Sequence, residues 1–234
     1  MDASLATRYV DAAIANLRAH DIMRMPDPAM PMAMRDVDLP NRDDWVAWKP
    51  IPSTVTPSDV ADLERLYGGM LPTVYVDFLQ YQHFYDLTER GVRFECHIAG
   101  KWKERLASLY RNYKPHFPAG SQLVPFGHET FMDAGPVCFD FAARLPDGDC
   151  PVVFWDHEWI NTKKEIRPLF SSATKMFECL LFIAQCPIDF FYHHLDSDDD
   201  NVLPQKRRFL SQFLRIDPAS PIDYWTTWGV SPDA

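Results

Sequence analysis

Glycine is scarce in this chain: nine residues in 234, against twenty prolines. Loops are therefore expected to be held by the fixed φ of proline rather than loosened by glycine. There is no CxxC pair, and five cysteines is an odd, thin count for a disulfide framework. Cys96, Cys138, Cys150, Cys179 and Cys186 read as reduced thiols of a cytoplasmic protein. No apolar run reaches the length of a membrane span; the richest, 179–184, is too short. Met1-Asp2-Ala3-Ser4 has neither the basic nor the apolar region of a secretory signal, so none is expected. Positive charge is also short, with a formal net charge of −10. A nucleic-acid partner, which needs a basic face, is therefore not expected. GxSxG, HExxH, HxH and a Gly-rich phosphate loop are all absent, which removes the common signatures of nucleophilic, zinc and nucleotide chemistry.

What is present points to a globular binding protein. Hydrophobic residues are 47% and charged residues 24% of the chain, enough for one sizeable core or two small ones. Aromatics reach 14%, including seven Trp, so some are expected at a recognition surface. The acidic balance suits a basic protein partner, which opposite charge would steer.

The hydrophobic pattern changes period along the chain. Leu5, Tyr9, Ala12, Ala13 and Leu17 predict a first helix over 4–20, with Ser4 as its cap. Residues 25–40 carry several Met and Pro without periodicity and read as a connector, while the Met cluster over 23–34 reads equally as a partner-facing surface, since Met repacks easily. Trp45 and Trp48 follow in a short extended piece. Thr56-Pro57-Ser58-Asp59 is a helix start, Gly68-Gly69 a stop, and Leu71-Pro72 a restart. The two helices read as a hairpin. Val92, Phe94, Cys96 and Ile98 then alternate with Arg93, Glu95 and His97, which predicts a half-buried strand. A charged amphipathic helix over 101–113 follows. Strands are predicted over 122–126, 136–141 and 151–155, the last two joined by the turn Pro146-Asp147-Gly148-Asp149 as an antiparallel hairpin. Apolar helices over 172–184 and 188–195 and one from Pro204 close the chain. The order of elements predicts an α+β fold, a mostly antiparallel sheet backed by helices.

The most informative stretch is Val152-Val153-Phe154-Trp155-Asp156-His157-Glu158, an apolar strand that surfaces in polar groups. A strand end is a rigid support for a binding constellation. Trp155 would supply apolar contact area, and Asp156, His157 and Glu158, with Asp140, Glu129 and Asp133, would meet a basic partner. A metal-dependent hydrolase is a weaker alternative, built from His128-Glu129, His157-Glu158, His193-His194 and Asp196. Adjacent strand residues point to opposite faces, so His157 and Glu158 are poorly placed to chelate together. The acidic run Asp198-Asp199-Asp200 reads as a solvated turn, or as a phosphate mimic toward a nuclease.

These pieces, in this order, resemble the SUKH superfamily, the group built around Smi/Knr-type fungal cell-wall regulators. The resemblance is carried by Trp48-Lys49-Pro50-Ile51, Tyr67-Gly68-Gly69, Leu71-Pro72 with Tyr75 and Phe78-Leu79, Leu123-Val124-Pro125-Phe126-Gly127, Cys138-Phe139-Asp140 and the 152–158 stretch. It covers roughly residues 45–190. Gln82-His83-Phe84-Tyr85 and Met132-Asp133-Ala134-Gly135 depart from the turns expected there. The resemblance implies an α+β fold, no common catalysis and no cofactor. It implies a protein-binding role: an intracellular immunity protein that blocks a cognate toxin domain, or else a regulatory scaffold for a host protein. On this reading residues 1–44 are an N-terminal extension and 45–234 the SUKH-like domain, as monomer or homodimer.

Overall fold

Three helix starts follow directly from hydroxyl side chains. In the computed structural model, which describes residues 3–26, 30–130, 135–156, 166–186, 203–221 and 224–225, helix α1 spans Leu5–Ala19. Ser4 accepts the Thr7 N–H at its start. Helix α2 (Pro57–Tyr67) opens on a capping box: Thr56 accepts from the Asp59 N–H while Asp59 accepts from the Thr56 N–H. Gly68 ends it at φ 77°, a left-handed conformation that costs glycine nothing. Helix α5 (Ala173–Ala184) is capped by Ser172, which accepts from the Lys175 N–H. Helices α3 (Thr73–Tyr81), α4 (Trp102–Tyr113) and α6 (Leu203–Ile216) complete the set among the described residues.

The main sheet is a meander of six antiparallel strands: β5 (Thr88–Glu89), β6 (Val92–Phe94), β7 (Leu123–His128), β8 (Pro136–Asp140), β9 (Val152–Trp155) and β10 (Ile166–Phe170). Each strand pairs with the next one in the chain, with α4 inserted between β6 and β7. Two small ladders flank the sheet. Arg24–Met25 (β1) pairs with Val46–Ala47 (β2), and Ile51–Pro52 (β3) with Gln82–His83 (β4). The fold is α+β, helices against an antiparallel sheet, as the pattern predicts.

Side-chain alternation divides the sheet between two apolar clusters. Val124, Phe126, Val137, Phe139, Val152 and Phe154 join the principal core with α1, α3 and α5. Leu123, Cys138, Val153 and Trp155 face the other way, beneath Tyr113 of α4 and Phe117 beyond it. With both faces covered, the strands carry unbroken apolar runs rather than an in–out alternation.

The expected N-terminal helix is present as α1, and Ala6, Tyr9, Val10, Ala13, Ile14, Met23, Met30 and Met34 all lie in the principal core. An amphipathic helix has to bury its apolar face, and here it does so against α3 and α5. The α2–α3 pair is no packed hairpin. Helix α2 lies against α4, with Tyr67 edge-on to Tyr110 and Lys103 between Asp59 and Asp62, whereas α3 packs on α1. Its expected stripe also loses Tyr85, because α3 ends at Tyr81. The strand over 92–98 stops at Phe94, so His97 is 2% exposed instead of solvent-facing. The predicted helix over 188–195 and the run 198–200 lie outside the described residues.

Candidate functional site

Strand β7 ends at His128, β8 begins at Pro136 and β9 ends at Trp155, so antiparallel pairing brings 129, 135 and 156 to one end of the sheet. The Glu129 N–H donates to Gly135 O at 2.9 Å. Extending the register of Val137 with Phe154 sets Asp156 beside Gly135. Glu129 and Asp156 thus stand two strand spacings apart, roughly 10 Å. Asp133, His157 and Glu158 lie outside the described residues.

Both described carboxylates are closed off from solvent, each 2% exposed. Tyr224 donates its hydroxyl to Glu129, and burial together with the Glu129 charge pushes that phenol far above its ordinary range. Arg167 Nη1 approaches Asp156 Oδ2 at 3.3 Å while its guanidinium stacks 5.3 Å from the Phe154 ring centre. A buried carboxylate is tolerated only with such partners. The segment after α6 completes this closure. Asp217 is fully buried and accepts the Ser171 N–H at 2.8 Å, and Ser220 donates to Leu169 O at 2.8 Å.

Of the remaining two predicted residues, Asp140 sits elsewhere and Trp155 faces away from solvent. Asp140 is at the opposite end of β8, where its N–H meets Pro151 O and its carboxylate accepts from Ala142 N at 3.0 Å. It closes the turn that follows, roughly 16 Å along the strand from Asp156. The hairpin reading of 136–155 already contains this separation, because the turn end of a hairpin is the far end from Trp155. Trp155 is 4% exposed, its ring 5.7 Å from Phe117 and 6.2 Å from Tyr113, both edge-on. It offers its area to the second cluster rather than to solvent.

His128 turns toward α4, where Glu95 lies 3.6 Å from its Nε2 and takes a bond from Arg105 Nε at 2.7 Å. Burial opposes the Glu95 charge, yet His128 and Arg105 outweigh it and hold the carboxyl below its ordinary value. Among the described residues no three His, Cys, Asp or Glu side chains are grouped to hold a metal ion.

Two concave features lie away from the predicted sheet-end site. A cleft of about 440 Å³ runs between the end of α2 and the chain after α4, lined by Tyr67, Tyr110, Lys114 and Phe117. A shallower groove of about 310 Å³ opens on residues 32–46 and is lined by Met32, Val37, Leu39 and Val46. Among the described residues, most large apolar side chains left in solvent belong to this part of the chain: Ile22, Met32, Val37, Leu39 and Trp45, with Met70 elsewhere. The signal was there in the unpatterned Met and Pro run 25–40, where no alternation assigns residues to an interior face. Among the described residues no helix is long and apolar enough to cross a membrane. No protein-family model matches the chain, and neither does any curated protein.

Proposed function

We propose that this chain is a non-catalytic protein-binding module, an immunity protein that binds and blocks a cognate toxin domain. One observation carries the binding part. A run of apolar side chains, Val37 at 72% exposure and Met32 at 69% among them, stays in solvent on the chain 22–45. Single exposed apolar residues are ordinary, but a gathered set is a mark of interaction surfaces. The narrower assignment to immunity rests on the SUKH resemblance and on the net charge of −10, which suits a basic toxin domain. Co-expression tests it. Growth arrested by the toxin domain encoded nearest to this chain should be restored by the chain, and continued arrest with both proteins expressed would contradict the proposal.

The regulatory-scaffold reading, in which the partner is a host protein, draws on the same surface. Removing residues 1–44 cannot separate the two, because those residues supply part of the core. Substitution of the exposed side chains leaves the fold intact and replaces that truncation as a test.

A further inference from the structure

The chain over 32–48 is tied down while its apolar tips are left outward. Asp36 N–H donates to Ala47 O at 3.0 Å, Lys49 N–H to Met34 O at 2.8 Å and Arg24 Nη1 to Pro40 O at 2.6 Å. Met34 and Trp48 anchor it from below, at 0% and 1% exposure. A loop that only crossed the surface would turn Val37 and Leu39 inward or replace them with polar residues. Here they stand 72% and 41% exposed on a fixed backbone. A surface ordered before binding loses little conformational entropy when it docks.

The chain segment 36–44 is acidic, with four aspartates against Arg42. Arg35 and Asp36 both line the groove, and Asp38, Asp43 and Asp44 are exposed in the stretch of chain that carries it. Arg24 and Arg42 share Asp21, and Arg35 donates to Met30 O. An apolar floor is thus carried by an acidic segment, in a chain of net charge −10.

Resting on the protein-binding reading above, we infer that this groove is the docking surface and that its occupant is a basic protein segment with apolar anchors. The apolar residues of that segment enter between Met32, Val37, Leu39 and Val46, and its Lys or Arg side chains meet Asp36, Asp38, Asp43 and Asp44. The sheet-end residues take no part in this contact.

Calorimetric titration of the full chain with three synthetic 18-residue peptides tests this. One is an amphipathic Leu/Lys helix, one the same helix with Glu for Lys, and one a Ser/Lys peptide without an apolar face. The Leu/Lys peptide should bind with one site and a Kd at least tenfold below the other two. Val37→Ser with Leu39→Ser should raise that Kd at least tenfold. Asp36→Asn with Asp38→Asn should raise it and flatten its dependence on salt. Circular dichroism and thermal unfolding of each variant should match the native chain, since the substituted positions are partly or largely exposed. Binding of the Leu/Lys peptide that the serine variant leaves unchanged would overturn the docking surface while leaving the protein-binding reading in place. Binding of no peptide, or equal binding of the Leu/Glu peptide, would overturn the inference, with the co-expression experiment still deciding the reading beneath it.

Discussion

Tyr9 of α1 stands edge-on to Phe177 of α5, with ring centroids 5.6 Å apart and planes at 72°. Phe78 and Phe94 lie 6.3 Å and 6.0 Å from the same ring, so the first helix is fixed to α3, α5 and the sheet by one side chain. The Tyr9 hydroxyl is buried and has no hydrogen-bond partner among the described residues. An unpaired buried hydroxyl costs about 1–3 kcal/mol. Tyr9→Phe should therefore keep or raise stability, while Tyr9→Ala, which empties the site, should cost about 3–5 kcal/mol. Urea unfolding of both variants checks this, and a Tyr9→Phe protein much weaker than native would show that the hydroxyl has a partner after all.

Gly127 is where two strands come too close for a side chain. A Cβ built there would lie 2.4 Å from Arg93 O, on the backbone of the neighbouring strand β6. It sits at the irregularity in the β7–β8 pairing, between Pro125 and Gly127. Gly127→Ala must push β6 from β7, and overpacking of this kind costs about 1–3 kcal/mol. The midpoint of urea unfolding should fall with its slope unchanged.

His83 and His97 form a buried pair with ring centroids 4.6 Å apart. The Thr54 N–H donates to His83 Nε2 at 3.0 Å, which puts the His83 proton on Nδ1, 3.1 Å from His97 O. His97 Nδ1 faces Gln82 O at 3.0 Å. Burial, then the neighbouring His83, pushes His97 down from 6.5 to about 3. Between those values the unfolded chain binds a proton that the folded chain refuses. Stability should be intact above pH 6.5 and decline as the pH falls toward 3, by up to about 1.4 kcal/mol per pH unit for this group. His97→Phe, which fits the contacts with Phe84 and Trp102, should flatten that decline in pH-dependent unfolding.

Glu89 has the opposite sign. Burial raises its carboxyl from 4.5 to about 8. The folded chain then holds a proton that the unfolded chain releases, so this contribution is lost as pH rises from 4.5 toward 8. Glu89→Gln should raise the melting temperature at pH 8 and leave it nearly unchanged at pH 4. An equal effect at both would contradict the assignment.

Much of this architecture is legible in the residues, for local reasons. Ser4, Thr56-Pro57 and Ser172 announce helix starts because a cap is a short-range hydrogen bond. Strands β7, β8 and β9 announce themselves as apolar runs of strand length. The same continuity hides the direction of Trp155: when both faces of a sheet are covered, alternation no longer says which face a residue takes. Strand β10 was missed because Pro168 interrupts it, which an edge strand of this sheet tolerates. Ladders of two residues, such as Arg24–Met25 with Val46–Ala47, leave too short a pattern to read. The candidate site was half legible. Glu129 and Asp156 do share an end of the sheet, but their burial involves Tyr224, 95 residues beyond Glu129, and Arg167 on the unpredicted strand β10. The exposed groove depends on which side of an unpatterned segment faces Met34 and Trp48, and only the folded chain decides that.

The account stands on stoichiometric binding without turnover. The direct measurement is a titration of the purified toxin domain's activity with increasing amounts of this chain. Inhibition should be linear and complete at one chain per toxin domain, and the Val37→Ser, Leu39→Ser variant should need a large excess. Full loss of toxin activity at a small fraction of one equivalent would mean catalysis, and would contradict the account.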